Sequence, residues 1–247
     1  MKDSFKDFTE QNYRELLRIA KQYYNFILYA DIEKRGRKIL WRHDVDFSIH
    51  RAYRLAHIEK EEGVYATYFI HLHNEFYNIL EYDISQKIKE IRDMGHEIAL
   101  HFDPLYYYGN IETLEQLEKY LYLEESVIEG VFDIKCKAFS FHNPDTFNYK
   151  EFTQTQIAGM VNTYSKFLQD NYAYCSDSNG YWRFERLQDV LEFRKHDNLQ
   201  VLTHPGWWTP EPLSPRDRIS RCIEGRAVAQ HRRYDELLER LGRENVR

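Results

Sequence analysis

Four short apolar runs in this chain of 247 residues each lead into an acid or a histidine. Residues 38–41 run into Arg42-His43-Asp44-Val45-Asp46. Residues 97–102 contain His101 and are followed by Asp103-Pro104. Residues 136–141 end at His142-Asn143-Pro144, and residues 199–202 end at Thr203-His204-Pro205. Between the first two of these runs, apolar residues at helical spacing over 48–63 and 84–94 flank a further apolar run over 64–72. Strand, helix, strand, helix, strand in this order implies parallel pairing with helices outside, because parallel neighbours need a crossover. The C-terminal ends of parallel strands form the rim where α/β architectures place their chemistry. The predicted fold is α/β, a distorted (β/α) barrel of about seven parallel strands, over one domain spanning 1–247. Its core covers about 38–208, with an N-terminal helix and a charged C-terminal helix added.

Strand side chains alternate between faces. Arg42, Asp44 and Asp46 therefore share one face, and Trp41, His43 and Val45 the other. Two carboxylates on one face at the end of a buried strand are costly unless a positive group lies between them. A metal ion or a coupled acid and base would supply it, and so would satisfaction by Arg42, Arg51 or helix N-termini. His101 shares its face with Ala99 and Asp103, and His142 shares its face with Ser140, so small neighbours leave room around both histidines. His43 and His96 point to the helix side and read as structural.

Residues 8–24 predict a helix capped by Thr9, with Tyr13, Leu16, Leu17 and Ala20 on one face. Gly63 and Gly95 are placed to stop the next two helices. Further helices are expected over 111–130 and 184–194, with strands over 24–29, 64–72 and 172–175. Residues 152–158 fit neither class. The charged stretch from Arg216 onward is either a subunit contact in a homo-oligomer or a solvated helix.

A net charge of −6 leaves no basic surplus for nucleic acid. The three cysteines are far apart and form neither a disulfide framework nor a zinc cluster, which suits a reducing cytoplasm. The sequence contains no apolar signal-peptide core and no 18-residue apolar run, so no membrane insertion is expected.

Asp and His donors suit a borderline divalent ion, zinc first. Three such ligands with a nearby carboxylate base and a histidine acid would equip the chain to hydrolyse an amide or ester.

The motifs resemble those of the polysaccharide deacetylases of the NodB-homology type (carbohydrate esterase family 4-like), in a divergent branch. Arg42-His43-Asp44-Val45-Asp46 is similar to the family's first motif, with H-D-V-D in place of T-F-D-D. Gly63-Val64-Tyr65-Ala66-Thr67-Tyr68-Phe69 resembles its second strand, and Gly95-His96-Glu97-Ile98-Ala99-Leu100-His101 its G-H-E-I-x-x-H. Phe141-His142-Asn143-Pro144, Ser176-Asp177-Ser178 with Trp182, and Leu202-Thr203-His204-Pro205 fall where the later motifs lie. The likeness covers about 40–208.

The resemblance implies a NodB-like barrel with a metal at its mouth and removal of an acyl group from a carbohydrate or sugar-nucleotide in surface polysaccharide synthesis. It implies Asp44 as base and Asp46 as metal ligand, with the reverse assignment as the alternative. It also implies His101 as a ligand and His204 as the acid. Leu105 stands where the family has its second metal histidine, so the third ligand is a choice among His142, expected first, Asp103 and Asp44 itself, with His71 and His73 more distant. Arg42, Asp103, Asp177, Trp182 and Trp207 are the expected substrate contacts. Two other readings are a non-catalytic carbohydrate-binding relative within a biosynthetic complex, and a metal hydrolase acting on a non-sugar amide.

Overall fold

The computed structural model describes residues 2–246. Helix α1 (Glu10–Tyr23) starts at Thr9, whose side chain accepts from the backbone N–H of Asn12, as the capping preference predicts. Strand β1 (Asn25–Ile27) and a charged turn lead into β2 (Lys38–Val45), every residue of which is buried. Helix α2 (Ile49–Glu62) ends at Gly63, which takes the left-handed conformation (φ 67°) that closes the helix. Then follow β3 (Thr67–His71), α3 (Tyr82–Asp93), β4 (Glu97–Phe102), α4 (Leu114–Phe132) and β5 (Ala138–Phe141). Helix α4 runs past Gly130, the expected stop, and ends where Asp133 turns left-handed instead.

The ambiguous stretch after β5 forms a short hairpin, β6 (Gln156–Ile157) and β7 (Met160–Asn162). Its two turn residues, Ala158 and Gly159, both have positive φ (51° and 76°), as a two-residue hairpin of the tightest type requires. The remaining elements are α5 (Lys166–Asn171), β8 (Ala173–Ser176), α6 (Leu187–Glu192), β9 (Asn198–Thr203) and α7 (Pro215–Arg240).

The strands form one curled sheet in the order β6-β7-β5-β4-β3-β2-β9-β8, with β1 paired to the start of β2. Every described pairing is parallel except β6 with β7. No ladder among the described residues joins β8 to β6 or β7, so the sheet is a half-barrel. Two cores follow from the alternation. The larger lies between the convex face and the helices and includes Trp41, Leu55, Ile70, Leu100 and Phe139. The smaller fills the concave side with Leu40, Phe69, Ala99, Ala138 and Tyr172 among others.

The concave side is layered. Asp44, Phe69 and Ala99 align across β2, β3 and β4, and the next row up aligns His71, His101 and Ser140. The upper row carries the histidines, and beneath it the aromatic and small side chains surround the buried pair of Arg42 and Asp44. Helix α7 has one buried residue, Arg218. It is held to the body by Arg226 and Arg233, which both pair with Glu81, and by Cys222 Sγ, 2.8 Å from the Phe47 carbonyl. Among the described residues, no helix is long and apolar enough to cross a membrane.

Candidate metal centre and active site

The pleat of β2 sends Arg42 and Asp44 to the concave side, and Asp46 follows immediately beyond the strand end. Asp46 Oδ1 lies 3.2 Å from His101 Nε2 and 3.6 Å from His142 Nδ1, and those two nitrogens are 3.1 Å apart. A tetrahedral shell with bonds of the usual zinc length sets its donors about 3.4 Å apart, so the three atoms already have the spacing of a metal face. Asp46 Oδ1 is buried and has no hydrogen-bond partner. An orphaned carboxylate oxygen beside two imidazole nitrogens is the donor set a divalent cation satisfies, and these residues fit such an ion.

Neighbouring groups prepare the donors. His101 Nδ1 is 2.7 Å from Ser140 Oγ, and donating its proton there leaves the Nε2 lone pair facing Asp46. Ser140 in turn donates to Asp44 Oδ1 at 3.4 Å. The backbone N–H of His142 donates to the Phe102 carbonyl at 2.7 Å, extending the tie between β4 and β5 to this residue. The side-chain amide of Asn143 lies 2.8 Å from His142 Nε2. Turned carbonyl-inward, it accepts the Nε2 proton and frees Nδ1 for a metal.

Burial alone would raise the Asp46 carboxyl. The charge of His204 and the nearness of the His101 and His142 imidazoles hold it well below the ordinary carboxylate range. Burial would lower His142, but hydrogen bonding and charge from Asp46 raise it.

Asp44 is 2% exposed, and its Oδ2 accepts from Arg42 Nη2 at 2.8 Å. Arg42 is wholly buried, with its guanidinium over the rings of Phe69 and Tyr164 at 5.4 and 5.3 Å. The expectation that Arg42 contacts substrate is corrected: no part of it reaches solvent, and it tethers Asp44.

His204 Nδ1 lies 2.6 Å from Asp177 Oδ1, and its Nε2 is 3.6 Å from Asp46 Oδ2. Burial pushes the His204 imidazole down, but Asp46 and Asp177 outweigh that and raise it to about 9. Asp177 has no exposure and also accepts from the His204 backbone N–H and from Trp208 Nε1 at 2.9 Å. Asp177, expected at the substrate, is thus sealed behind His204 and orients it.

Asp103 stands apart from the three donors. Its Oδ1 accepts from the Leu105 N–H at 2.9 Å, and its Oδ2 is 3.5 Å from His71 Nε2. The Asn74 side-chain oxygen accepts from the N–H groups of Phe76 and Tyr77, so its amide nitrogen faces the Asp46 carbonyl and His71 Nδ1. His71 therefore accepts at Nδ1 and carries its proton on Nε2, turned to Asp103. It has no free lone pair for a metal, and its ring lies 4.5 Å from that of His142. His73 is engaged by Glu124 at 3.0 Å. Leu105 is 39% exposed on the turn after Asp103.

Trp182 and Trp207 are partly buried. Trp182 packs 5.2 Å from Phe8 and 6.0 Å from Trp208, and Trp207 packs 4.7 Å from Phe47. The tether from Arg42 to Asp44 is the satisfaction of a carboxylate by Arg42 that the sequence offered, whereas Asn74 carried no sequence signal. Glu59, read as part of a charged helix end, is fully buried.

No protein-family model matches the chain, and no curated protein matches it. Solved structures do. A family 4 carbohydrate esterase from Bacillus anthracis matches at 17% identity and TM-score 0.45, covering 88% of this chain and 86% of that one. The catalytic domain of a peptidoglycan N-acetylglucosamine deacetylase from Eubacterium rectale matches at 14% identity and TM-score 0.48, covering 79% and 86%. A CE4 family pseudoenzyme, also from Bacillus anthracis, matches at 18% identity and TM-score 0.42, covering 77% and 62%.

Proposed function

We propose that this protein is a metal-dependent deacylase that removes an N-acyl or O-acyl group from a sugar or sugar-nucleotide, inside the cell, during surface polysaccharide synthesis. The observation that carries this reading is the meeting of Asp46 Oδ1, His101 Nε2 and His142 Nδ1 within 3.6 Å of one another, with Asp44 and His204 beside them. Asp46, His101 and His142 would hold the ion, zinc by donor chemistry. When bound, a divalent ion polarises an acyl carbonyl and lowers the pKa of water.

The chain's own residues supply the rest. Asp44, fixed by Arg42 and Ser140, accepts the proton of the attacking water. His204, oriented by Asp177 through its Nδ1, gives a proton to the departing amine or alcohol. The hydrogen bond between Asp177 and Nδ1 turns Nε2 toward the site and keeps the imidazolium from swinging away.

The test is acetate release from N-acetylated and O-acetylated sugars by zinc-loaded protein, with small non-sugar amides in parallel. Turnover of the sugars that Asp44→Asn abolishes is the expected result. Full zinc loading with no acyl release from any of these compounds would overturn the reading, and release from the simple amides alone would replace the substrate class.

A further inference from the structure

We propose that Glu59 is a positioning residue: through His43 and Thr203 it sets β2 against β9 where the two strands hand over to Asp46 and His204. The inference rests on the deacylase reading above. Its starting point is a pair of motif histidines, His43 and His96, that the site does not use. Both face Glu59, on the convex side of the sheet, at 2.6 and 3.4 Å.

Glu59 has no exposure. Its carboxylate accepts from His43 Nε2, from Tyr68 Oη at 2.7 Å and from Tyr13 Oη. Tyr13 Oη also accepts from Trp41 Nε1 at 2.8 Å. His96 closes the cluster as a neutral ring: its Nδ1 accepts the Ala66 N–H at 3.3 Å, and its Nε2 donates to the Ala56 carbonyl at 3.0 Å. One carboxylate on α2 thereby ties together α1, β2 and β3.

The other nitrogen of His43 carries the tie to the acid strand. His43 Nδ1 lies 2.7 Å from Thr203 Oγ1, and His43 with Thr203 is the last register pair of the β2–β9 ladder. Beyond that rung no ladder bond holds the two strands together. Three residues further along β2 is Asp46, and one further along β9 is His204, with 3.6 Å between their facing atoms. The side-chain staple thus sits where the splay of the strand ends is decided.

A buried ion pair is a poor source of stability, because apolar side chains of similar volume commonly hold a fold as well or better. A fully satisfied polar network instead selects one arrangement among near-equal packings. Misplacement of reacting groups by about 1 Å costs on the order of a hundredfold in rate.

Thr203→Val removes the staple and keeps the shape; Glu59→Gln removes the charge behind it. Kinetics, zinc content and a crystal structure of each variant test the proposal. Both variants should lose about ten- to a hundredfold in kcat with KM and zinc stoichiometry unchanged. The separation between Asp46 and His204 should exceed 3.6 Å in the Thr203→Val crystal. Wild-type kcat in both variants, or a loss that only tracks lost metal or lost folded protein, would overturn it. If Glu59→Gln does not fold, Thr203→Val decides alone. If the wild-type protein releases no acyl group, the deacylase reading fails by itself, and an unchanged separation in the Thr203→Val crystal then overturns the positioning role.

Discussion

His142 Nδ1 and His101 Nε2 stand 3.1 Å apart although the two histidines come from neighbouring strands, β5 and β4. Parallel alignment places His101 beside Ser140, so the residue two beyond Ser140 curls back over the His101 ring. The wild-type chain is expected to bind one zinc ion. His101→Ala or His142→Ala should abolish stoichiometric binding, read as metal content after dialysis. His71→Ala should keep one ion per chain with affinity weakened by about tenfold, as for an outer-shell partner, because its lone pair is already taken by Asn74. Loss of stoichiometry in His71→Ala would move the third ligand to that ring.

Asp44→Asn is expected to lower kcat by about 10²–10⁴, the usual worth of a general base, with zinc content unchanged. Arg42→Met leaves Asp44 buried without its cation and should cost about 3–5 kcal/mol in urea unfolding.

Acid stability should report on Glu59. Burial pushes its carboxyl up, and the charge and hydrogen bond of His43, with the smaller help of the Tyr13 hydrogen bond, leave it below its ordinary value of 4.5. A depressed folded-state pKa means the unfolded chain takes up the proton first. The contribution to stability is therefore complete above pH 4.5 and is lost as pH falls through the folded value. Urea unfolding between pH 3 and 6 should show this slope in the wild type and a shallower one in Glu59→Gln.

Gly206 lies against the ring of Phe47, the neighbour of Asp46. A β-carbon there would stand 2.0 Å from Phe47 Cζ. Gly206→Ala should cost about 1–3 kcal/mol from overpacking and weaken zinc binding by shifting the turn after Asp46. A thermal melt and a zinc titration check both.

The pattern of strands ending in acids and histidines made the parallel sheet legible, because each run is short, apolar and closed by a polar residue. The convergence of Asp46, His101 and His142 was legible for the same reason, since strand ends on one rim have few places to point. Asp177 and Arg42 were misplaced at the substrate because alternation tells which face a side chain takes but not how deep it lies. Arg42 sits two rows below the row of His71 and His101, and Asp177 lies behind His204. Glu59 was hidden by its setting: it opens a charged run at a helix end, and only the third dimension sets His43, Tyr13 and Tyr68 around it. Residues 152–158 escaped the reading because a two-residue strand has no period to detect.

Arg42 and Asp44 are two residues apart on one strand and bonded at 2.8 Å. Asp44 therefore brings its own counter-ion with it. Loops around the rim can lengthen, shorten or change sequence without stranding this pair, because neither partner belongs to a loop. The part of each segment beyond His142 and Asp177 is then free to vary while the pair is carried through unchanged.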